Sequence, residues 1–316
     1  MDYLILAGGL ALILLGANYL VEGASSIAKR FGLSEFIIGV TIVGIGTSSP
    51  EMVASIMAAI KGSAEMAIGN IVGSNIFNTL VILGVTGLIA PLTITKSNIK
   101  KDIPINIVVT AMLVLLGMNL TIFGLGKDQL SRLDGAIMLA IFLWYILSSF
   151  RSGKSENNEE EGIKILPIWL SAIMIAGGLA ALIFGGRFFV NGAESIARSL
   201  GVSDKFIAIT VMAAGTSMPE LATSIVAAVK GRGQLALGNI LGSNISNILL
   251  ILGITSIISP LSFSGISIVD MIVLAVAAVL IFLSAFMFKK KELDRFEAAI
   301  FLLIEAGYMW YLIANI

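Results

Sequence analysis

Ten runs of about 20 predominantly apolar residues, separated by short charged or turn-rich segments, constrain this chain more than any other feature. They cover residues 3–28, 36–60, 66–90, 103–125, 130–149, 167–198, 206–229, 235–259, 269–289 and 296–316. In hydrocarbon the backbone must satisfy its own N–H and C=O groups, so runs of this length fold as membrane-crossing helices. The expected fold is therefore an all-α polytopic membrane protein with ten transmembrane helices. Composition agrees, since charged residues make up only 13% of 316 against about a quarter in soluble chains. No Lys or Arg precedes the first run and no small-residue cleavage site follows it, so it reads as a retained helix. Cysteine and histidine are both absent, which removes thiolate nucleophiles, imidazole bases and the metal sites built from either. A net charge of zero with no basic block leaves no footprint for nucleic acid. The partners to expect are small ions and the lipid bilayer, and no cofactor is called for.

Orientation follows from the Lys and Arg of alternate loops. One side collects fourteen, including Lys29, Arg30, Lys164, Lys230 and Arg232; the other collects five, and Arg187 lies within a span. The positive-inside rule places both termini outside the cell and residues 151–166, with the acidic stretch RSGKSENNEEEG, in the cytoplasm of a multi-pass plasma-membrane protein.

The sequence is duplicated. Residues 4–92 laid on residues 173–261 without a gap are identical at 44 of 89 positions. Each copy belongs to a five-span half, residues 1–150 and 167–316, and an odd number of spans forces the second copy to enter the membrane from the opposite side. This is an inverted-topology repeat, an architecture whose substrate sites lie near the midplane between halves.

The most similar stretches are polar. The second span of each half carries Gly46-Thr47-Ser48-Ser49-Pro50-Glu51 or Gly215-Thr216-Ser217-Met218-Pro219-Glu220. Pro has no N–H and clashes with the preceding turn, so each helix should break here and free backbone carbonyls, which are hard oxygen ligands. Glu51 and Glu220 then fall about 22 Å along their spans, near mid-membrane. One acid at that depth costs about 2.5–3.5 kcal/mol, so a facing pair points to a cation between them. The third span adds Gly69-Asn70-Ile71-Val72-Gly73-Ser74-Asn75-Ile76-Phe77-Asn78, matched by residues 238–247. Asn70, Ser74 and Asn78 recur every fourth residue and share a helix face. Helix packing alone accounts for such a pattern, but its duplication beside the Glu-bearing break favours ligand roles for Ser74, Asn78, Ser243 and Asn247. Asn70 and Asn239 read as packing or capping residues. Glu22 lies about 30 Å along its span and reads as a snorkelling side chain; Arg187, toward the other side, should not meet it. Asp134, Asp270 and Glu305 have no repeat partner and read as helix-end or packing residues.

These paired motifs resemble the two alpha repeats, about 36–90 and 205–259, of the calcium/cation antiporter superfamily, most closely its sodium/calcium exchangers. The resemblance implies antiport of Ca2+ against Na+ by alternating access, with the first and sixth helices moving over the other eight. It further implies that Glu51, Glu220 and the carbonyls of Thr47 and Thr216 hold Ca2+. The same Glu residues with Ser48, Ser74, Asn78, Ser217, Ser243 and Asn247 would line Na+ sites, and Gly44 and Ala213 match positions that offer a backbone carbonyl. Sodium-coupled members usually carry Asp in one repeat where this chain has Asn78 and Asn247, so here the oxygen set holds two negative charges.

The expected function is thus Ca2+/Na+ exchange by a monomeric secondary antiporter. Hard oxygens without His or Cys suit these ions and not Zn2+ or Cu+. The alternatives are an antiporter driven by protons or another monovalent ion, and a passive cation channel. An intramembrane hydrolase is disfavoured because the polar cluster contains no His, Cys or Lys base.

Overall fold

The computed structural model describes residues 1–124, 126–152, 163–200, 213–286 and 291–314, and these are helical almost throughout. In the first half α1 (Asp2–Phe31) leads through α2 (Glu35–Ile38) and a π-helical turn (Gly39–Val43) to α3 (Gly44–Thr47) and α4 (Ser49–Ile60). Next, α5 (Ala64–Phe77) runs through a π turn (Asn78–Ile82) into α6 (Leu83–Ile89), followed by β1 (Leu92–Thr93). A third π turn (Asn98–Asp102) opens α7 (Ile103–Gly117), then come α8 (Asn119–Phe123), β2 (Gln129–Leu130) and α9 (Arg132–Ser152). The second half comprises α10 (Ile168–Ser199), α11 (Ala213–Thr216), α12 (Met218–Val229), α13 (Gly233–Ser246), a π turn (Asn247–Leu252) and α14 (Gly253–Ile258). β3 (Leu261–Ser262), α15 (Ile268–Ser284), β4 (Glu292–Leu293) and α16 (Arg295–Ala314) complete it.

Helix occupies part of each of the ten sequence-derived runs. Among the described residues six continuous stretches of 20 to 32 residues are long and apolar enough to cross a membrane, and α2–α3 with α4, bent by 46°, is long and apolar enough when the two are taken together. α12 and α15 are apolar but shorter. Some boundaries differ from expectation. α1 extends to Phe31, where Gly32 takes a left-handed conformation (φ 62°) and caps it. The fourth run is helical only to Gly117 before a break at Met118. Residues 205–212, the start of the seventh run and of the second repeat, lie outside the described residues, as do 125, 153–162 of the acidic linker, 287–290 and 315–316.

Two features position the site. α1 and α10 pack antiparallel through glycines spaced by seven residues, at 9, 16 and 23 and again at 178, 185 and 192. A Cβ on Gly16 would lie 2.7 Å from the Gly178 carbonyl, and one on Gly178 would lie 2.7 Å from the Gly16 carbonyl, so the backbones touch. At 30 and 32 residues these helices are about 45 Å long or more, which exceeds the hydrocarbon thickness. The second is α13, which packs against α2, the Gly39–Val43 turn and α3 and in which every residue from Leu235 to Ser246 is buried. Its glycines admit neighbours closely: a Cβ on Gly238 would meet the Phe36 carbonyl at 2.3 Å, and one on Gly242 the Val40 Cα at 2.5 Å.

The loops sort onto two faces. On one, Lys29 and Arg30 donate to the carbonyls of Ile163 and Leu166, Gln234 donates to the Thr93 carbonyl, and β1 pairs with β4. On the other, β2 pairs with β3, Ser264 donates to Glu65, and Ser195 donates to Asp2.

Despite the duplication, the described halves are packed differently at one place. α1 lies along α12, whereas α10 makes no comparable packing with α4, the repeat equivalent of α12. Equivalent side chains record the difference: Thr223 on α12 is 0% exposed while Ala54 on α4 is exposed, and Ala222 is 8% exposed against 57% for Val53.

Candidate ion-binding site

Both expected breaks are present and are built alike. Ser48 interrupts the first (φ −77°, ψ 8°) and Ser217 the second (φ −89°, ψ 6°), with Pro50 and Pro219 in the first turn of the helix that follows. The hydrogen-bond ladder resumes with Met52 N–H donating to the Ser48 carbonyl (3.0 Å) and Leu221 N–H to the Ser217 carbonyl (3.1 Å), bypassing the Thr47 and Thr216 carbonyls. In the first copy Ser49 Oγ donates to the Gly46 carbonyl that Pro50 cannot reach (2.7 Å).

Glu51 and Glu220 are the third residues of their helices, each 1% exposed. Ser48 and Ser217 stand three residues earlier, in the N-cap position, where a hydroxyl ordinarily caps its own helix. Neither does. Ser48 Oγ donates to Glu220 Oε1 at 3.0 Å and Ser217 Oγ to Glu51 Oε1 at 3.2 Å, so each cap is given to the other half's carboxylate. The hydroxyls of Thr47 and Ser243 also border Glu220, and the two carboxylates feel one another's charge.

The asparagines complete the centre. Asn78 Nδ2 donates to Asn244 Oδ1 (3.2 Å) and Asn247 Nδ2 to Asn75 Oδ1 (2.9 Å). Asn75 Nδ2 in turn donates to the Asn244 carbonyl (3.1 Å), and Asn244 Nδ2 to Thr79 Oγ1 (2.8 Å). With the amide nitrogens committed, the oxygens have fixed directions. Asn78 Oδ1, Asn247 Oδ1, Glu51 Oε2 and Glu220 Oε2 are all buried and accept no hydrogen bond. A buried acceptor left unmade costs about 1–3 kcal/mol, more when charged. Four acceptors from two halves, with no donor among them, are complementary to a cation. The two Glu are the acids of this centre, and no group of three or more acidic, His or Cys side chains occurs among the described residues.

The remaining expected residues fall around it. Ser243 Oγ donates to the Gly44 carbonyl (3.2 Å), which also accepts from Ser48 N–H (3.2 Å) and is thus already occupied. Ser74 is buried, and Ala213 opens α11. Thr47 Oγ1 donates to the Val43 carbonyl (3.0 Å). Asn70 and Asn239 hold the broken helices from behind, donating to the Glu51 and Glu220 carbonyls (3.2 and 3.3 Å) and to Ser55 and Ser224. The orienting role of Asn75 and Asn244 was not legible in the motif, although both belong to it; drawing the polar line through every fourth residue passes over them.

Outside the centre, Asp134 and Asp270 sit at helix starts, where Asp134 accepts from Ser131 and Asp270 from Ser267. Glu305 is in the interior of α16 with a buried, unpartnered Oε2. Arg187 is exposed. Glu22 does not simply snorkel: it pairs with Lys230 at 2.6 Å.

Buried acceptor oxygens left without a donor, inside an all-helical, apolar fold, define a membrane protein that handles cations. The family model described as sodium/calcium exchanger protein matches residues 1–151 and 170–314. Sodium/calcium exchanger MaX1 of Methanosarcina acetivorans is 31% identical over 342 residues, 98% of this chain and 97% of MaX1. Inner membrane protein YrbG of Escherichia coli K12 is 33% identical over 267 residues, 80% and 78% of the two chains. Among solved structures, the sodium-calcium exchanger NCX_Mj soaked with 2.5 mM Na+ and 0.1 mM Ca2+ superposes with a TM-score of 0.83 at 31% identity, over 98% of this chain and 97% of that one. The chain belongs to the sodium/calcium exchanger family, a family of cation antiporters and not of enzymes.

Proposed function

We propose that this chain is a monomeric Ca2+/Na+ antiporter of ten spans, arranged as two inverted five-helix halves, residues 1–150 and 167–316. The observation that carries the reading is the set of four unpartnered oxygens on Glu51, Glu220, Asn78 and Asn247. Because each ion would use the same two carboxylates, occupancy is mutually exclusive, which is what coupling requires. The Thr47 and Thr216 carbonyls join the Glu pair around Ca2+; Ser48, Ser217, Ser74, Ser243, Asn78 and Asn247 serve Na+. The Gly44 carbonyl and its equivalent at Ala213 lie behind them. All these atoms come from one chain, which favours a working monomer.

The ten-span inverted topology draws support from the two loop faces, since every contact named above joins loops that alternation puts on the same side. The Lys/Arg count assigns the face bearing Lys29, Arg30 and Lys230 to the cytoplasm of the plasma membrane, with both termini outside. The looser packing between α10 and α4 then belongs to a conformer open to the outside.

The test is 45Ca2+ uptake into proteoliposomes containing the purified chain. An outward Na+ gradient drives saturable uptake that ceases without internal Na+. Uptake driven by a pH gradient and indifferent to Na+ would replace Na+ by protons as the coupling ion, and flux without any counter-ion would make the protein a channel.

A further inference from the structure

On the Lys230 face two polar ties join α1 to the rest of the molecule. Glu22 Oε1 accepts from Lys230 Nζ at 2.6 Å, joining α1 to the turn between α12 and α13; the two side chains are 48% and 29% exposed. One turn on, Ser25 Oγ donates to Glu35 Oε1 at 2.6 Å, joining α1 to α2 in a buried setting. Glu35 is held in place by Arg232 at 3.6 Å. An exposed ion pair alone contributes little. A hydrogen bond to a buried carboxylate contributes more.

The duplication supplies an internal comparison. A shift of 169 residues carries Glu22 to Asn191, Lys230 to Lys61, Ser25 to Glu194, Glu35 to Asp204 and Arg232 to Ser63. In sequence the exchange replaces the chemistry of both ties: an amide takes the place of Glu22, acids occupy both positions of the Ser25–Glu35 pair, and a serine replaces the arginine. Yet the chain is identical at 44 of 89 positions across these copies, including Gly23, Ala24, Ser26, Ile27 and Ala28 around the ties. The structure shows the same asymmetry in packing, with α1 laid along α12 and no comparable packing of α10 on α4.

We infer that Glu22–Lys230 and Ser25–Glu35–Arg232 form a one-sided latch, which holds α1 against the core on the Lys230 face and biases the transporter toward the conformer closed there. The inference rests on the alternating-access reading above. In two inverted halves of equal sequence the two closed conformers would be equal in energy, and only residues that differ between the copies can tilt the balance. Four of these five, Glu22, Ser25, Glu35 and Arg232, differ from their repeat equivalents while Lys230 repeats as Lys61, and together they bridge the parts that must separate. When the Lys230 face opens, both ties break, and the residues at the repeat-equivalent positions do not offer the same pairings.

The natural absence of cysteine provides the test. Thr223→Cys places a thiol at a position that is 0% exposed in this conformer, and Ala54→Cys places one at its exposed equivalent. In proteoliposomes a charged, membrane-impermeant thiol reagent labels position 54 readily and position 223 slowly. Glu22→Gln should raise the labelling rate at 223 about fivefold and lower it at 54. Ser25→Ala should have a larger effect, about tenfold or more, because the bond it removes is buried and made to a charge. Glu22→Lys combined with Lys230→Glu should restore the parental pattern, which separates a broken pair from a damaged fold. Unchanged labelling in Glu22→Gln and Ser25→Ala would overturn the latch. Na+-dependent 45Ca2+ exchange in the same vesicles keeps the two ideas apart: intact exchange with unmoved labelling removes the latch alone, whereas loss of exchange in the parent removes the antiport reading.

Discussion

Glu51 and Glu220 supply the whole formal charge of the oxygen centre, and glutamine keeps their shape while removing it. Glu51→Gln or Glu220→Gln should therefore abolish Ca2+ exchange while the purified protein remains monodisperse, measured by 45Ca2+ flux beside size-exclusion chromatography. Normal flux in either variant would remove that residue from the site. Asn75 and Asn244 act one step back, by committing the amide nitrogens of their neighbours so that Asn78 and Asn247 present oxygen. Truncating such an orienting partner typically weakens metal affinity by about 10–100-fold. Asn75→Ala should do this to the apparent Ca2+ affinity, with maximal flux retained at saturating Ca2+. Legibility at this scale followed chemistry. The Glu pair and the terminal Asn of each motif stood out because an acid or amide at mid-membrane needs a reason. Asn75 did not, although an ideal helix puts it about 60° from Asn78 and Asn70 about 80° away.

At the scale of elements, the Pro-bearing breaks were readable because the chemistry of Pro fixes them locally. The exchange of caps between halves was not, since a Ser three residues before a Glu reads as a cap for its own helix. The π turns at Gly39–Val43, Asn78–Ile82 and Asn247–Leu252 were equally silent. Runs such as NTLVI and NILLIL are apolar on nearly every side, so one extra residue per turn leaves no mark on periodicity. The glycines spaced by seven on α1 and α10 were visible in the sequence, but only the contact between Gly16 and Gly178 explains them. Gly16→Leu would drive a side chain into the α10 backbone. Overpacking of this kind costs about 1–3 kcal/mol, so the variant should unfold at a lower temperature in detergent, whereas Gly8→Leu, which meets nothing within 4 Å, should not.

Over the whole molecule, the duplication made the helical class and the pairing of motifs accessible from sequence, because matched motifs meet across the halves with their partners exchanged, as Ser48 with Glu220 and Ser217 with Glu51. The Glu22–Lys230 pair escaped for the complementary reason: Lys230 repeats as Lys61 but Glu22 is replaced by Asn191, and a rule that looks for matches passes over differences. Charge counting belongs to this scale as well. With both Glu ionised, one Ca2+ or two Na+ neutralise the centre, whereas a third Na+ would leave a net positive charge in the membrane interior. Exchange should therefore be close to electroneutral, and Asn247→Asp should admit a further Na+ and make flux respond to imposed potassium-diffusion potentials. Strong voltage dependence in the parent, unaltered by Asn247→Asp, would contradict the count. The central claim, that Ca2+ and Na+ compete for a single centre between the halves, is tested most directly by equilibrium 45Ca2+ binding to the purified protein across Na+ concentrations. The account predicts complete, competitive displacement of Ca2+ by Na+ and no binding in Glu51→Gln combined with Glu220→Gln. Ca2+ that remains bound at saturating Na+, or that binds this double variant as it binds the parent, would contradict it.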